Sequence, residues 1–366
     1  MLKNKYYSLK NILNKNCYYN VIFGERSNGK TYACLKYGIE QFLKTGGQIG
    51  IIRRWKEDFK IARARELFSA LIVNGEVEKL SKGKYNNIGF KSGVWFLYNN
   101  DDVKDGKVKV ENQKIFAYAF ALSDMEHNKS ISYPRITNII FDEFISSGVY
   151  LVNEFTLFLN TLSTIIRDRD NVKIFMLGNT VNKYCLYFSE MGLTNITKME
   201  QGTIDVYTYS NNKLQVAVEY CNSLAKTKKS NFYFAFNNPN LEMITHGKWE
   251  LGTYPHLPRK YKPSEIEYIF FIDFDDNIYQ CEIICGENDE FIYIHEKTTN
   301  VKNSDDLIYS IVNNSSIYYN NNIYYPRTKV ERKIISYFKS NKVFFQNNSV
   351  GNAVENFLKM CRGGLK

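Results

Sequence analysis

Two short stretches carry residue types and spacings suited to chemistry on a phosphate. Gly24-Glu25-Arg26-Ser27-Asn28-Gly29-Lys30-Thr31 fits G-x-x-x-x-G-K-T in full. Its glycines let successive backbone N–H groups turn inward on a phosphate. A helix opening at Lys30 points its positive N-terminal end at the same anion. Lys30 is expected to reach the β- and γ-phosphates and Thr31 to ligate Mg²⁺, with Gly24, Asn28 and Gly29 shaping the cradle. The second stretch, Thr137-Asn138-Ile139-Ile140-Phe141-Asp142-Glu143, is an apolar run ending in two acids. Asp142 can hold Mg²⁺ through water, and Glu143 can polarise an attacking water. Acids at a strand end often merely begin a turn; next to a P-loop they make a hydrolysis site. A GTPase would carry a base-reading N-K-x-D, and Asn182-Lys183-Tyr184-Cys185 lacks the Asp. The expected nucleotide is therefore ATP.

Other candidates admit two readings each. Gly178-Asn179-Thr180 ends a strand, where Asn179 either senses the γ-phosphate or forms a simple Gly-Asn turn. Arg167-Asp168-Arg169 closes a helix. One arginine could stabilise transition-state charge in a neighbouring subunit, or the pair could only complement the helix dipole. Arg53, Arg54 and Lys56 are trans-acting cations, nucleic-acid contacts or a solvated strand end. Asp273, Asp275 and Asp276 suit either a catalytic metal or a hairpin turn, with no obvious partner acids downstream.

Positioning these groups requires strands that end at one edge. Tyr18 to Phe23 reads as a strand running into the loop, Lys30 to Lys44 as a helix, and Gln48 to Arg54 as a second strand. Glu57 to Val73 looks helical, and Lys84 to Tyr98 looks like a hairpin with turn signals at Gly89 and Ser92-Gly93. Lys114 to Leu122, Arg135 to Phe141 and Val172 to Leu177 read as strands, with a helix over Leu151 to Ile166. This alternation predicts an α/β fold with a mostly parallel sheet, whose strand ends face the ligand crevice. A hairpin over Thr203 to Tyr220 closes the first domain, 1–220. Residues 221–261, with Lys226, Lys228, Lys229 and three prolines, read as a linker subdomain. Residues 262–366 read as a small α/β domain, with helices near Glu331 to Lys339 and Ala353 to Met360 and an exposed polar loop around Asn313 to Asn322.

The chain has 366 residues, which suggests roughly two domains. Its net charge of +10 favours a polyanionic partner, chiefly nucleic acid. Seven cysteines without a CxxC pair, and a polar, lysine-rich N-terminus without a leader, point to free thiols in a reducing cytoplasm. No apolar run approaches the ~18 residues of a membrane span, so no membrane partner is expected.

Together these residues resemble the genome-packaging ATPases of small tailed bacteriophages of the phi29 type. The resemblance rests on Val21-Ile22-Phe23-Gly24 through Thr31, Arg53-Arg54-Trp55-Lys56, Ser132-Tyr133-Pro134, Ile140 through Ile145, Arg167-Asp168-Arg169 and Leu177-Gly178-Asn179. It covers about residues 18–220; beyond that only the layout is similar. It implies an additional-strand, glutamate-bearing (ASCE) ATPase domain and a C-terminal domain resembling a degenerate, ribonuclease-H-like fold that has lost cleavage. It implies a homopentameric ring docked on a prohead portal through packaging RNA, in the host cytoplasm, driving double-stranded DNA into a capsid. In this pattern Arg26 is the nucleotide-binding loop arginine, Arg167 a trans arginine finger and Lys56 a second trans-acting group. Glu143 and Asn179 complete the catalytic set. Thr31 and Gly178 depart from the serines of the pattern, and Asp273 is an acid where none is expected. A helicase and a metal-dependent nuclease working through the C-terminal domain are the rival readings.

Overall fold

The apolar stretch before the glycine loop is strand β1 (Tyr19–Gly24), and the residues after it form helix α2 (Lys30–Thr45), preceded in the chain by a short α1 (Lys10–Leu13). The computed structural model describes residues 6–105, 107–124, 131–146, 148, 150–180, 184–209, 214–222, 252–275, 277–299, 306–312 and 314–363. The chain divides into two compact units, 1–146 with 154–249 and 147–153 with 250–366. The basic cluster at Lys226, Lys228 and Lys229, together with Asn182, Lys183 and Asp276, lies outside the described residues.

In the first unit, β2 (Gln48–Arg53) is followed by three short helices, α3 (Ile61–Glu66), α4 (Ser69–Val73) and α5 (Glu76–Leu80). Glu57 to Val73 is thus broken rather than one continuous helix. The hairpin β3 (Asn87–Lys91) and β4 (Val94–Tyr98) turns at Ser92-Gly93. Gly89 does not turn; it sits inside β3 opposite Phe96. A two-stranded ribbon, β5 (Val103–Lys104) and β6 (Lys107–Val108), precedes β7 (Lys114–Ala121). Next come β8 (Ile136–Asp142), α6 (Glu154–Ile166), β9 (Lys173–Asn179), α7 (Leu186–Glu190), β10 (Ile204–Tyr209) and β11 (Leu214–Tyr220). Among the described residues the sheet has nine strands in the order β10-β11-β1-β9-β8-β2-β7-β4-β3. The six from β11 to β7 run parallel, and β10, β4 and β3 add antiparallel edges.

One strand, β9, lies between the P-loop strand β1 and the acid strand β8, which is the ASCE order. It leaves Gly24, Asn179 and Asp142 side by side at one strand edge, as the registers Gly24↔Asn179 and Asp142↔Leu177 show. The central strands are buried along almost their whole length, as parallel strands covered on both faces must be. One core lobe packs Trp95 against Phe59, Phe68 and Phe90, and Phe68 against Phe116. Each fully buried ring is worth about 1.5–3 kcal/mol of apolar burial.

In the second unit, β12 (Ile266–Phe274), β13 (Asn277–Cys285) and β14 (Glu290–Glu296) form an antiparallel meander. Then β15 (Ile308–Ser310) adds parallel to β12, β16 (Tyr319–Asn320) parallel to β15, and β17 (Val343–Phe345) parallel to β14. Helices α8 (Lys329–Lys339) and α9 (Asn348–Gly363) complete it. Numbered from β12, the strand order 3-2-1-4-5 with only the second strand reversed is that of ribonuclease-H-like folds; β17 extends the β14 edge. The polar run ending at Asn322 is not all exposed loop. Asn320 and Asn322 are buried, donating to Glu331 Oε2 at 3.0 Å and to the Cys361 carbonyl at 2.9 Å. All seven cysteines are free thiols. No helix among the described residues is long and apolar enough to cross a membrane.

Candidate active site

The loop between β1 and α2 holds Ser27 at φ +60° and Gly29 at φ +94°. The second value is easy only for glycine, which has no Cβ to clash with the backbone. Lys30, only 5% exposed, folds back over the loop. Its Nζ donates to the Glu25 carbonyl at 2.7 Å, Asn28 Oδ1 at 3.2 Å, Asn179 Oδ1 at 3.3 Å and the Gly24 carbonyl at 3.4 Å. Burial pulls the Lys30 ammonium below the usual lysine range despite the nearby Cys221, Asp142 and Glu25. Asn28 and Asn179 are therefore brought onto the loop lysine, whereas Arg26 is exposed.

Thr31 Oγ1 donates to Asp142 Oδ1 at 3.0 Å. The other oxygen of Asp142 accepts from Arg53 Nη2 at 2.5 Å, and Arg53 Nη1 donates to Glu143 Oε2 at 3.2 Å. Burial works against the Arg53 guanidinium, but the charges of Asp142 and Glu143 outweigh it and hold its pKa above the usual value. Arg53 is thus a cis partner of the acid pair and not a free trans-acting or nucleic-acid cation. The Thr31 hydroxyl and the Asp142 carboxylate are hard oxygen donors of the kind Mg²⁺ takes, and a cation bound there would compete with Arg53 for the acid. Glu143 is exposed and sits at φ +62°, an uncommon conformation for a residue with a side chain.

Arg54 is not a solvated strand end. It is buried, forks onto Glu154 at 2.7 and 2.9 Å, and donates to the Phe144 carbonyl at 2.9 Å. Strand alternation is the cause, because consecutive residues point to opposite faces and only one arginine can face the crevice. The two arginines after α6 also separate. Arg169 caps backbone carbonyls of Tyr133, Pro134, Ile136, Ile165 and Ile166 at 2.6–3.2 Å. Arg167 is exposed at φ +51°, two residues before Arg169, whose guanidinium meets the start of β8. Asp142 ends the same strand, six residues and about 20 Å away at a strand's rise, so Arg167 is not gathered into its own chain's site. Lys56 is also outside it, exposed and paired with Asp124 at 2.8 Å.

Residues preceding α1 brace the loop from behind, a contact without a sequence signal. The Tyr7 N–H donates to the Asn28 carbonyl at 2.9 Å, and its hydroxyl donates to Glu219 Oε2 on β11 at 2.6 Å. Gly178 is explained by space rather than by chemistry. A Cβ there would fall 2.6 Å from Ile145 Cδ1 and 3.0 Å from Phe144 Cε1, because the turn after the acid pair packs on β9. In the second unit Asp273 is paired in register with Ser310 of β15, whose hydroxyl lies 3.4 Å from Asp273 Oδ2. Asp275 is in the β12–β13 turn at φ +54°. No cluster of three or more His, Cys, Asp or Glu suited to a metal ion occurs among the described residues.

The DNA packaging protein of Bacillus phage B103 is 32% identical over 176 residues, covering 46% of this chain and 47% of that protein. The DNA packaging protein of Bacillus phage phi29 is 29% identical over 196 residues, 52% of each. The chain spans about half the length of the relatives it matches. Among solved structures, a chain of the bacteriophage Phi-29 viral genome packaging motor assembly is similar with a TM-score of 0.57 at 22% identity, covering 98% of this chain and 100% of that one. A chain of the Phi-28 gp11 DNA packaging motor gives 0.53 at 15% identity, covering 98% and 99%. At these identities both likenesses speak for the fold alone. The family model described as podovirus DNA encapsidation protein (Gp16) matches residues 1–100 and 96–361, nearly the whole chain, and with the P-loop, the acid pair and the strand order that joins them it places the chain in that family.

Proposed function

We propose that the chain is an ATP-driven motor that moves double-stranded viral DNA into a prohead in the host cell. The observation that carries this reading is the convergence of Lys30, Thr31, Asp142, Glu143 and Asn179 at one strand edge, in a chain of the encapsidation family. ATP binds with its phosphates in the loop of Gly24 to Thr31. Lys30 exchanges its contacts to Glu25, Asn28 and Asn179 for the β- and γ-phosphates, and Arg26 closes the loop from the solvent side. Thr31 and Asp142 would hold Mg²⁺, which supplies charge neutralisation on the phosphate oxygens when bound. Glu143 accepts the proton of the attacking water, and Asn179 orients that water or reads the γ-phosphate. Arg167 cannot reach its own site, which favours action in a neighbouring subunit of a ring, with Lys56 as a second trans-acting group. A homopentamer docked on the portal through packaging RNA fits this incomplete site. In this reading 1–220 is the motor domain, 221–261 the linker and 262–366 the vestigial nuclease domain.

The test is ATP hydrolysis by purified protein with and without DNA and proheads. Hydrolysis stimulated by both is expected. Glu143→Gln should bind ATP but hydrolyse it at least about 100-fold more slowly; a wild-type rate would defeat the assignment. Rings mixed from Arg167→Ala and Lys30→Ala subunits should recover activity at hybrid interfaces, and no recovery would place the finger elsewhere. Strand separation by the protein without proheads would favour a helicase instead.

A further inference from the structure

Arg54, Glu154 and Tyr187 form a buried polar network directly behind the acid pair. Arg54 is 7% exposed, Glu154 and Tyr187 are fully buried. The Arg54 guanidinium forks onto Glu154, with Nε to Oε2 at 2.7 Å and Nη2 to Oε1 at 2.9 Å. The Tyr187 hydroxyl donates to the same Oε1 at 2.8 Å. Burial, reinforced by the Glu154 charge, pushes that phenol well above its usual range, so it stays a donor. The Tyr187 ring is gripped edge-on by Phe141, Phe144, Phe155 and Phe158. The remaining reach of Arg54 goes to backbone, Nη2 to the Phe144 carbonyl at 2.9 Å and Nη1 to the Glu143 carbonyl at 3.4 Å. Those two carbonyls belong to the turn in which Glu143 stands at φ +62°.

A buried ion pair is a poor device for stability alone, since well-packed apolar side chains of the same volume usually serve as well or better. Here the pair joins the end of β2, the first turn of α6 and α7 to one strained turn. We propose that Arg54, fixed by Glu154 and Tyr187, is a positioning residue for Glu143: its fork holds the carbonyls of residues 143 and 144 and so keeps the carboxylate aimed at the nucleotide. Arg53 contacts the carboxylates from the crevice, while Arg54 sets the backbone that carries one of them. This rests on Glu143 being the base of the hydrolysis proposed above.

The test uses the full-length protein with Tyr187→Phe, which removes one hydroxyl and keeps the ring, and Arg54→Lys, which keeps the charge and loses the fork. With DNA present, kcat for ATP should fall about tenfold in each, because small misplacement of a catalytic group is costly. KM and nucleotide affinity should stay within about twofold, as expected when only the chemical step is touched. In a Glu143→Gln background, the residual single-turnover rate should not fall further with either change. If Arg54→Lys fails to fold, Tyr187→Phe alone decides. Full kcat in Tyr187→Phe, with Glu143→Gln inactive, overturns the clamp and leaves the base assignment standing. A tenfold loss repeated in the Glu143→Gln background, or a rise in KM with kcat intact, also overturns it. Glu143→Gln hydrolysing at the wild-type rate removes the base and the clamp together.

Discussion

Arg53 bridges Asp142 and Glu143, and Lys30 donates to its own loop and to Asn179. Removing Arg53 leaves Asp142, at 6% exposure, without its counter-charge. Arg53→Ala should therefore lower the stability of the nucleotide-free protein by about 1–3 kcal/mol, as for a buried charge losing a charged hydrogen-bond partner. Millimolar Mg²⁺ should recover part of that loss in a thermal melt; an unchanged melting midpoint would show that the bridge contributes nothing. The cis role of Arg53 was not legible from sequence. The pair Arg53-Arg54 reads as two equivalent cations, and only the pleat sends one to the crevice and the other inward. The P-loop and the acid pair were legible because their chemistry is local in sequence and tolerates few substitutes. Tyr7 on the back of the loop was not, because its partner Glu219 is 212 residues away.

At the scale of elements, the two arginines after α6 separate structure from chemistry. Arg169 closes the C-terminus of α6 and the start of β8 by satisfying several backbone carbonyls at once. Arg169→Ala should cost about 1–2 kcal/mol in denaturant unfolding, since several partly buried acceptors lose their donor together. Arg167→Ala, at an exposed left-handed position, should stay within about 0.5 kcal/mol. Equal effects from the two would contradict this division of labour. In the second unit, Glu282 accepts from Tyr261 at 2.6 Å and Gln280 at 2.7 Å, and lies 3.4 Å from His295 Nε2. Burial disfavours the His295 charge, but Glu282 and the Glu296 carbonyl outweigh it and raise its pKa. Burial likewise disfavours the Glu282 charge, but His295, Tyr261 and Gln280 outweigh it and lower its pKa. A raised histidine contributes its full stability below its unfolded pKa of about 6.5 and loses it as pH rises through the folded value. A lowered glutamate contributes above its unfolded pKa of about 4.3 and loses it as pH falls through the folded value. The pair therefore stabilises most between about pH 4.3 and 6.5. His295→Gln should flatten the decline in stability above that window, followed by melting temperature against pH.

For the whole molecule, the charge of +10 favours a polyanionic partner, which the proposed motor reading makes double-stranded DNA. Contacts of that kind go mainly to phosphate and carry little sequence information. Binding to duplex DNA should weaken by at least about tenfold between about 50 and 200 mM salt and vary little with sequence. A salt-independent affinity would argue against phosphate contacts. The central strands of the first unit, the loop, the acid pair and the likeness to phage packaging ATPases could be read from the chain, because periodicity and short motifs are local properties. Helix Glu57 to Val73 broke into pieces, and the asparagines at 320 and 322 turned inward, because tertiary partners decided them. Only the fold placed β9 between loop and acids, set Arg167 at the far end of β8 from them, and put Arg54 behind Glu143. The amino-acid sequence by itself determined which groups can do phosphate chemistry. Strand order and side-chain direction depend on pairings between distant segments, and those decided which groups meet.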